Sequence, residues 1–223
     1  MQKGLLDFNW DYIQGYSEED ITYFLFLEGK TMEAISRIRN IDKALVQKHI
    51  INGKINYRYF IKNESIGEFL QALSLTDKHD RNSIIHNLNI VIEKKLLKYI
   101  NDNYASLSPL EKERAVWIIG ELKDIDSLNV LVKASVHKST NIRRMAISAM
   151  NKISDMKCED HLIRTLYDDN PQVVLYALKA LENLKSKKAF SHIEKLEKQW
   201  KKEYLIKEKE IYISKVFSEG VEQ

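Results

Sequence analysis

Residues 115–122, AVWIIGEL, residues 146–153, AISAMNKI, and residues 177–184, ALKALENL, are one phrase written three times at a step of 31 residues. Aligned on that step, Ala115, Ala146 and Ala177 coincide. So do Ile118, Ala149 and Ala180; Ile119, Met150 and Leu181; and Leu122, Ile153 and Leu184. Within each copy the apolar positions fall at i, i+3, i+4 and i+7, one stripe of an α-helix. A second apolar set, Leu131, Leu162 and Ile193, repeats at the same step. The punctuation repeats with it. Ser108, Ser139 and Asn170 are N-cap residue types, and the only two prolines, Pro109 and Pro171, stand at the first helical position. Glu111, three residues after Ser108, completes a capping box. A fixed period that carries both core and caps predicts an α-solenoid, in which helical hairpins stack through their neighbours.

Working outward, the repeats extend from Lys112 to Trp200, and a weaker copy precedes them. Asp77 lies 31 residues before Ser108, and Ile84, Leu88 and Val91, then Leu97 and Ile100, follow it as apolar positions. In this copy Asn87 replaces the small apolar residue. After the repeats, Lys201 to Phe217 reads as a charged helix with Tyr204, Leu205, Ile211 and Tyr212, suited to capping the last repeat. With seven glycines, two prolines and no β alternation, the chain reads as all-α. The organisation expected is a helical block over 1–62, a linker helix and hinge loop over 63–80, the repeat solenoid over 81–200, and a capping helix and tail over 201–223. The linker helix is Ser65 to Leu73, and Thr76 to Asn82 reads as a polar loop.

The first block has a different rhythm. Ser17 caps a helix with Glu18, Glu19 and Asp20 in its first turn, where acids complement the macrodipole. It carries Ile21, Phe24, Leu25 and Leu27, and Gly29 ends it. Thr31 starts a short helix with Met32, Ile35 and Ile38. Asn40 stands where a left-handed turn residue is needed, and Asp42 caps a third helix with Leu45, Val46 and Ile50. Gly53 is read as the end of that helix. Charge divides this block. Residues 1–29 hold one lysine against six acids, net −5, and residues 30–62 hold eight basic residues against two acids, net +6.

The run Ile35-Ser36-Arg37-Ile38-Arg39-Asn40-Ile41-Asp42-Lys43-Ala44-Leu45-Val46 resembles bacterial helix-turn-helix sequences, with Asn40 in place of the turn glycine and Ser36 in place of the usual alanine. Arg39 departs from the apolar residue common there. The resemblance implies a recognition helix from Asp42 to about Asn52 presenting Ala44, Gln47, Lys48 and Ile51 outward. In that reading Arg37, Arg39, Lys43 and Lys48 meet the phosphates of duplex DNA, and Gln47 reads a base edge. The plainer reading is a three-helix cap with a solvated basic face, which an outward Ile51 favours, as it does a protein contact.

The repeats resemble HEAT-like repeats of the short bacterial type found also in phycobilin lyases. Arg114 to Leu122 looks like the first helix of that family, Asp168-Asp169-Asn170-Pro171-Gln172-Val173 like its inter-repeat turn, and Arg143 like the arginine that often follows the turn. The resemblance implies a right-handed solenoid of about four hairpins, second helices lining a concave face, and binding rather than catalysis. One branch of the family is a DNA glycosylase, but the acidic residue flanked by aromatics that such an enzyme needs is not seen; the second helices offer only Tyr167.

On the second helices, Leu128, Leu131, Val132 and Ser135 mark the packed side, so Lys133 and its equivalents Arg164 and Lys195 point away from it. Val130 has His161 and His192 as equivalents. Lys133, His161, Arg164, His192 and Lys195 are therefore the candidate groove residues, a spaced basic ladder for an acidic peptide or a phosphate backbone. The plainer reading is a solvated face, with Asp168 and Glu194 offsetting charge. No catalytic residue, metal set or cofactor motif is read. Cys158 and His161 lack further ligands, no Gly-rich phosphate loop occurs, and Trp10, Trp117 and Trp200 read as packing residues. The single cysteine, the absence of a visible signal peptide and the lack of a long apolar run lead to the expectation of a cytoplasmic, non-enzymatic binding protein or scaffold, with no membrane segment.

Overall fold

The computed structural model describes residues 2–88, 90–197 and 202–217. The fold is an all-α solenoid with one two-stranded hairpin, β1 (Gln2–Lys3) and β2 (Leu6–Asp7), at its start. Strands of two residues are too short to show alternation, so the sequence reading missed them. The chain divides into two compact units, Met1–Ile84 with Asn89–Ile92, and Ile85–Leu88 with Glu93–Gln223.

In the first unit Ser17 caps α1 (Glu18–Leu27) with a full capping box to Asp20, and Thr31 caps α2 (Met32–Arg39). Asn40 is left-handed at φ 51°, and Asp42 caps α3 (Lys43–Lys62) by accepting from the Leu45 amide. Ile35, Val46 and Ile50 form a buried cluster backed by Leu25, Phe26 and Ile41, so α1, α2 and α3 close on one another as a tri-helical core. Phe8 stacks on Phe24 at 4.4 Å, and Leu5 donates its amide to the Phe60 carbonyl at 2.8 Å, fixing the hairpin to the end of α3.

Two expectations for this unit are corrected. Helix α3 does not end at Gly53 but runs nine residues further in the same helix, to Lys62. Gly53 is buried, and a Cβ there would lie only 2.2 Å from the Tyr23 ring. The glycine permits a close helix approach and is not a terminator. Nor is Thr76 to Asn82 a loop. After α4 (Ile66–Leu75) only Thr76 and Asp77 lie outside helix, and α5 spans Lys78–His86. Asp77 accepts from the Asp80 amide at 3.0 Å, and Arg81 donates to the Thr76 carbonyl at 2.7 Å, so a polar segment is held helical by its cap.

The weak first copy also differs from its expected register. Helix α5 ends at His86, which leaves Leu88 outside it, and Val91 is 56% exposed. Ile84 and Ile100 are buried as expected, but helix α6 (Ile90–Asn103) buries Ile92 and Leu96 in place of Val91 and Leu97. From there the period holds. The first helices are α7 (Pro109–Glu121), α9 (Thr140–Ile153) and α11 (Pro171–Asn183), and the second helices are α8 (Leu128–Ser135), α10 (Glu159–Thr165) and α12 (Phe190–Glu197). The helices begin at the expected caps Asp77, Ser108, Ser139 and Asn170. Ser139 does so without a side-chain cap bond.

Ala115, Ala146 and Ala177 are fully buried, as are Leu131, Leu162 and Ile193. Burying each large aliphatic contributes about 1.5–3 kcal/mol. Helix α9 packs between α7 and α11, and it comes close to α7 at Gly120, where a Cβ would lie 2.8 Å from that of Ala149.

Two further periodic devices escaped the sequence reading. Lys123, Ser154 and Lys185, 31 residues apart, end the first helices in the left-handed conformation at φ 51–54°. Ser127, Cys158 and Ala189 share a second fully buried slot at the start of the second helices. Cys158 is thus the small residue of its repeat. Helix α13 (Glu203–Phe217) packs on α11 and buries Leu205, Tyr212 and Val216. Trp10 is half-buried and donates to Glu28 at 2.6 Å, Trp117 is half-buried on α7, and Trp200 lies outside the described residues.

Candidate functional site

A cleft of about 190 Å³ opens on the second-helix face of the repeats. Helix α8 and its end supply Val132, Ser135 and Val136; α10 and the turn after it supply His161, Arg164, Thr165, Tyr167 and Asp168; α9 supplies Arg143. The frame is set by Arg143. It donates from Nε to Asp168 at 2.7 Å and from Nη2 to the other carboxylate oxygen at 3.0 Å, while Nη1 donates to the His137 carbonyl at 3.0 Å. Asp168 also accepts from the Asn170 amide at 2.8 Å. One fork therefore fixes the loop before its own helix to the loop after the next one. The two side chains are only 17% and 9% exposed, and Asp168 holds the Arg143 guanidinium above its ordinary range. Losing one partner of such a pair costs about 3–5 kcal/mol when fully buried, and less here.

The remaining polar groups divide into committed and available. Ser135 donates to the Val132 carbonyl, and Thr165 to the His161 carbonyl. Arg164 donates to His161 Nδ1 at 2.5 Å, which makes Nδ1 an acceptor and leaves the imidazole proton on Nε2. Burial, then the Arg164 charge, lowers the His161 pKa, so the ring is neutral near physiological pH. Tyr167 shares a 2.9 Å hydrogen bond with His192 Nδ1 and meets its ring edge-on at 6.0 Å, which carries the surface from α10 to α12. Arg164 and Tyr167 are exposed, and Val136, 79% exposed, is an apolar rim.

Of the residues singled out from sequence, His161 and Arg164 line this cleft, and His192 joins it through Tyr167. Lys133 and Lys195 are exposed on α8 and α12 but do not line it. Val130, the equivalent of the two histidines, is buried. The frame residues Arg143 and Asp168 were visible in sequence as parts of the turn, but their pairing across 25 residues was not. In the first unit, Arg37, Gln47 and Lys48 are exposed, and so is Ile51 at 50%. Arg39 is turned inward onto Glu18 with its side chain 10% exposed, and Lys43 pairs with Glu33 at 2.9 Å. Cys158 is buried, and among the described residues no group of His, Cys, Asp and Glu could hold a metal ion. No described helix is long and apolar enough to cross a membrane.

The HEAT-repeat family profile matches residues 93–182, the stretch from α6 to α11. No curated protein matches the sequence. Among solved structures, a designed armadillo repeat protein in complex with peptide (KR)4 is similar, with a TM-score of 0.47 and 17% identity over 76% of this chain and 94% of that one.

Proposed function

We propose that this chain is a non-enzymatic, cytoplasmic binding protein that holds an acidic segment of a protein partner on the face made by α8, α10 and α12. The cleft carries this reading. Its buried polar groups are spent on fixing the two loops, while Arg164 and Tyr167 project into solvent beside an apolar rim. Lys133 and Lys195 extend the positive field along the neighbouring second helices. A surface of this kind recognises a carboxylate next to an apolar side chain.

The test is titration of a labelled poly-glutamate peptide by fluorescence anisotropy, with the triple variant Lys133→Glu, Arg164→Glu, Lys195→Glu as comparison. Binding that weakens with salt and is lost in the triple variant, at unchanged melting temperature, is the expected result, because exposed charges contribute little to stability. Equal binding by both proteins refutes the reading.

A second reading rests on a different observation, the tri-helical core with Asn40 in the left-handed turn and Gln47 and Lys48 exposed on α3. That block is a candidate reader of duplex DNA. Lys48→Ala is expected to weaken all duplexes alike and lower the salt slope by ~0.9, whereas Gln47→Ala relaxes sequence preference. A duplex affinity that neither substitution changes eliminates it.

A further inference from the structure

Helix α13 stands one repeat step beyond α11. Val174, Ala177 and Leu181 map onto Leu205, Glu208 and Tyr212, and all six residues are buried. Helix α13 packs along α11 as α11 packs along α9, so it takes the place of the first helix of a further repeat. The slot that holds a fully buried alanine in α7, α9 and α11 holds Glu208 in α13, 8% exposed. Its carboxyl group shares the lining of one pocket with that of Glu182 on α11, 6% exposed. Two carboxyl groups kept from water side by side disfavour being ionised together.

The groups facing this pair come from three helices. Lys215 of α13 ion-pairs with Glu182, and Lys179 of α11 stands 3.8 Å from Glu208. Asn151 of α9, with Asn183 and Ile211, completes the lining of an open pocket of about 320 Å³. Further along the seam the Tyr212 hydroxyl donates to the Ser186 carbonyl, and the Ser186 hydroxyl donates to Glu159 at 2.6 Å. The lysine side chains are 51% and 63% exposed, so water screens them, while the carboxyl groups they face are only 10% and 6% exposed.

We propose that α13 is a pH-sensitive latch, docked firmly on α11 while the Glu208 carboxyl holds a proton beside Glu182 and loosened when that proton is lost. Burial, then the Glu182 contact, raises the Glu208 pKa, against a smaller opposing pull from the lysines. A docked state that binds its proton more tightly than the undocked state is favoured at low pH. Its advantage declines as pH rises from the ordinary carboxyl value through the raised one, and is constant above it. The alanines of the earlier repeats show that stacking itself does not require an acid in this slot. Undocking uncovers the side of α11 on which a repeat helix stacks.

Hydrogen–deuterium exchange of the full chain from about pH 5 to about pH 8, corrected for intrinsic exchange rate, tests this. Protection of the α13 amides is expected to fall with pH by about tenfold for each pKa unit by which docking raises Glu208, while α7 and α9 stay level. Glu208→Gln and Glu182→Gln, which keep size and hydrogen bonding, are each expected to flatten the profile. Level α13 protection in the unmodified chain, or a slope that persists in either variant, overturns the latch.

Discussion

Gly53 and Cys158 show how one residue type can mean different things in different surroundings. A glycine near an expected helix end reads as a terminator, yet Gly53 lies inside α3 with the Tyr23 ring where a side chain would begin. Tyr23 is itself stacked on Tyr57 at 5.7 Å and cannot retreat. Gly53→Ala is therefore expected to destabilise the first unit by about 2–3 kcal/mol, outweighing the roughly 1 kcal/mol of helix propensity it gains. Urea unfolding followed at 222 nm measures it. A lone cysteine invites a reactive reading, but Cys158 is the buried small residue of its repeat, equivalent to Ser127 and Ala189. Burial, with a smaller push from Asp155, raises its thiol to about 11. A thiol-specific reagent near pH ~8 is expected to leave the native protein unmodified and to label the unfolded chain. Cys158→Ala is expected to cost about 1 kcal/mol or less, since the repeat already accepts alanine there.

Among the elements, two of the three first helices, α7 and α11, owe their starts to side-chain caps, and all three end through backbone conformation. Ser108 and Asn170 cap by accepting main-chain amides, whereas Lys123, Ser154 and Lys185 close the helices at positive φ. Left-handed backbone costs a residue with a Cβ roughly 1 kcal/mol and costs glycine nothing, which is why glycine is preferred there. Lys123 and Ser154 are exposed. Lys123→Gly and Ser154→Gly are each expected to raise stability by up to about 1 kcal/mol, read as a rise in melting temperature. A fall would show that these side chains hold the turn. The second helices are short, and their placement depends on the loops that Arg143 and Asp168 tie together, so the cleft follows from a loop constraint as much as from helix packing.

For the whole molecule, the two compact units have cores of their own, one built on α1 to α4 around Phe24, Ile35, Val46 and Phe69, the other on the stacked hairpins. A chain ending at Ile84 is expected to keep a helical circular dichroism spectrum and a cooperative melt, because that core lies within it. A non-cooperative melt would contradict this. The sequence by itself determined the period, the caps, the helix starts and the all-α class. These depend on the 3.6-residue turn and on contacts between neighbouring repeats, so they recur in the text of the chain every 31 residues. Tertiary structure alone decided that Gly53 is a contact, that Arg39 turns inward to Glu18, that Arg143 and Asp168 frame a cleft, and that Glu208 and Glu182 line one pocket. Each depends on two side chains brought together from separate helices or turns, and the distance and burial between them are properties of the packed chain, which the order of residues along one helix does not contain.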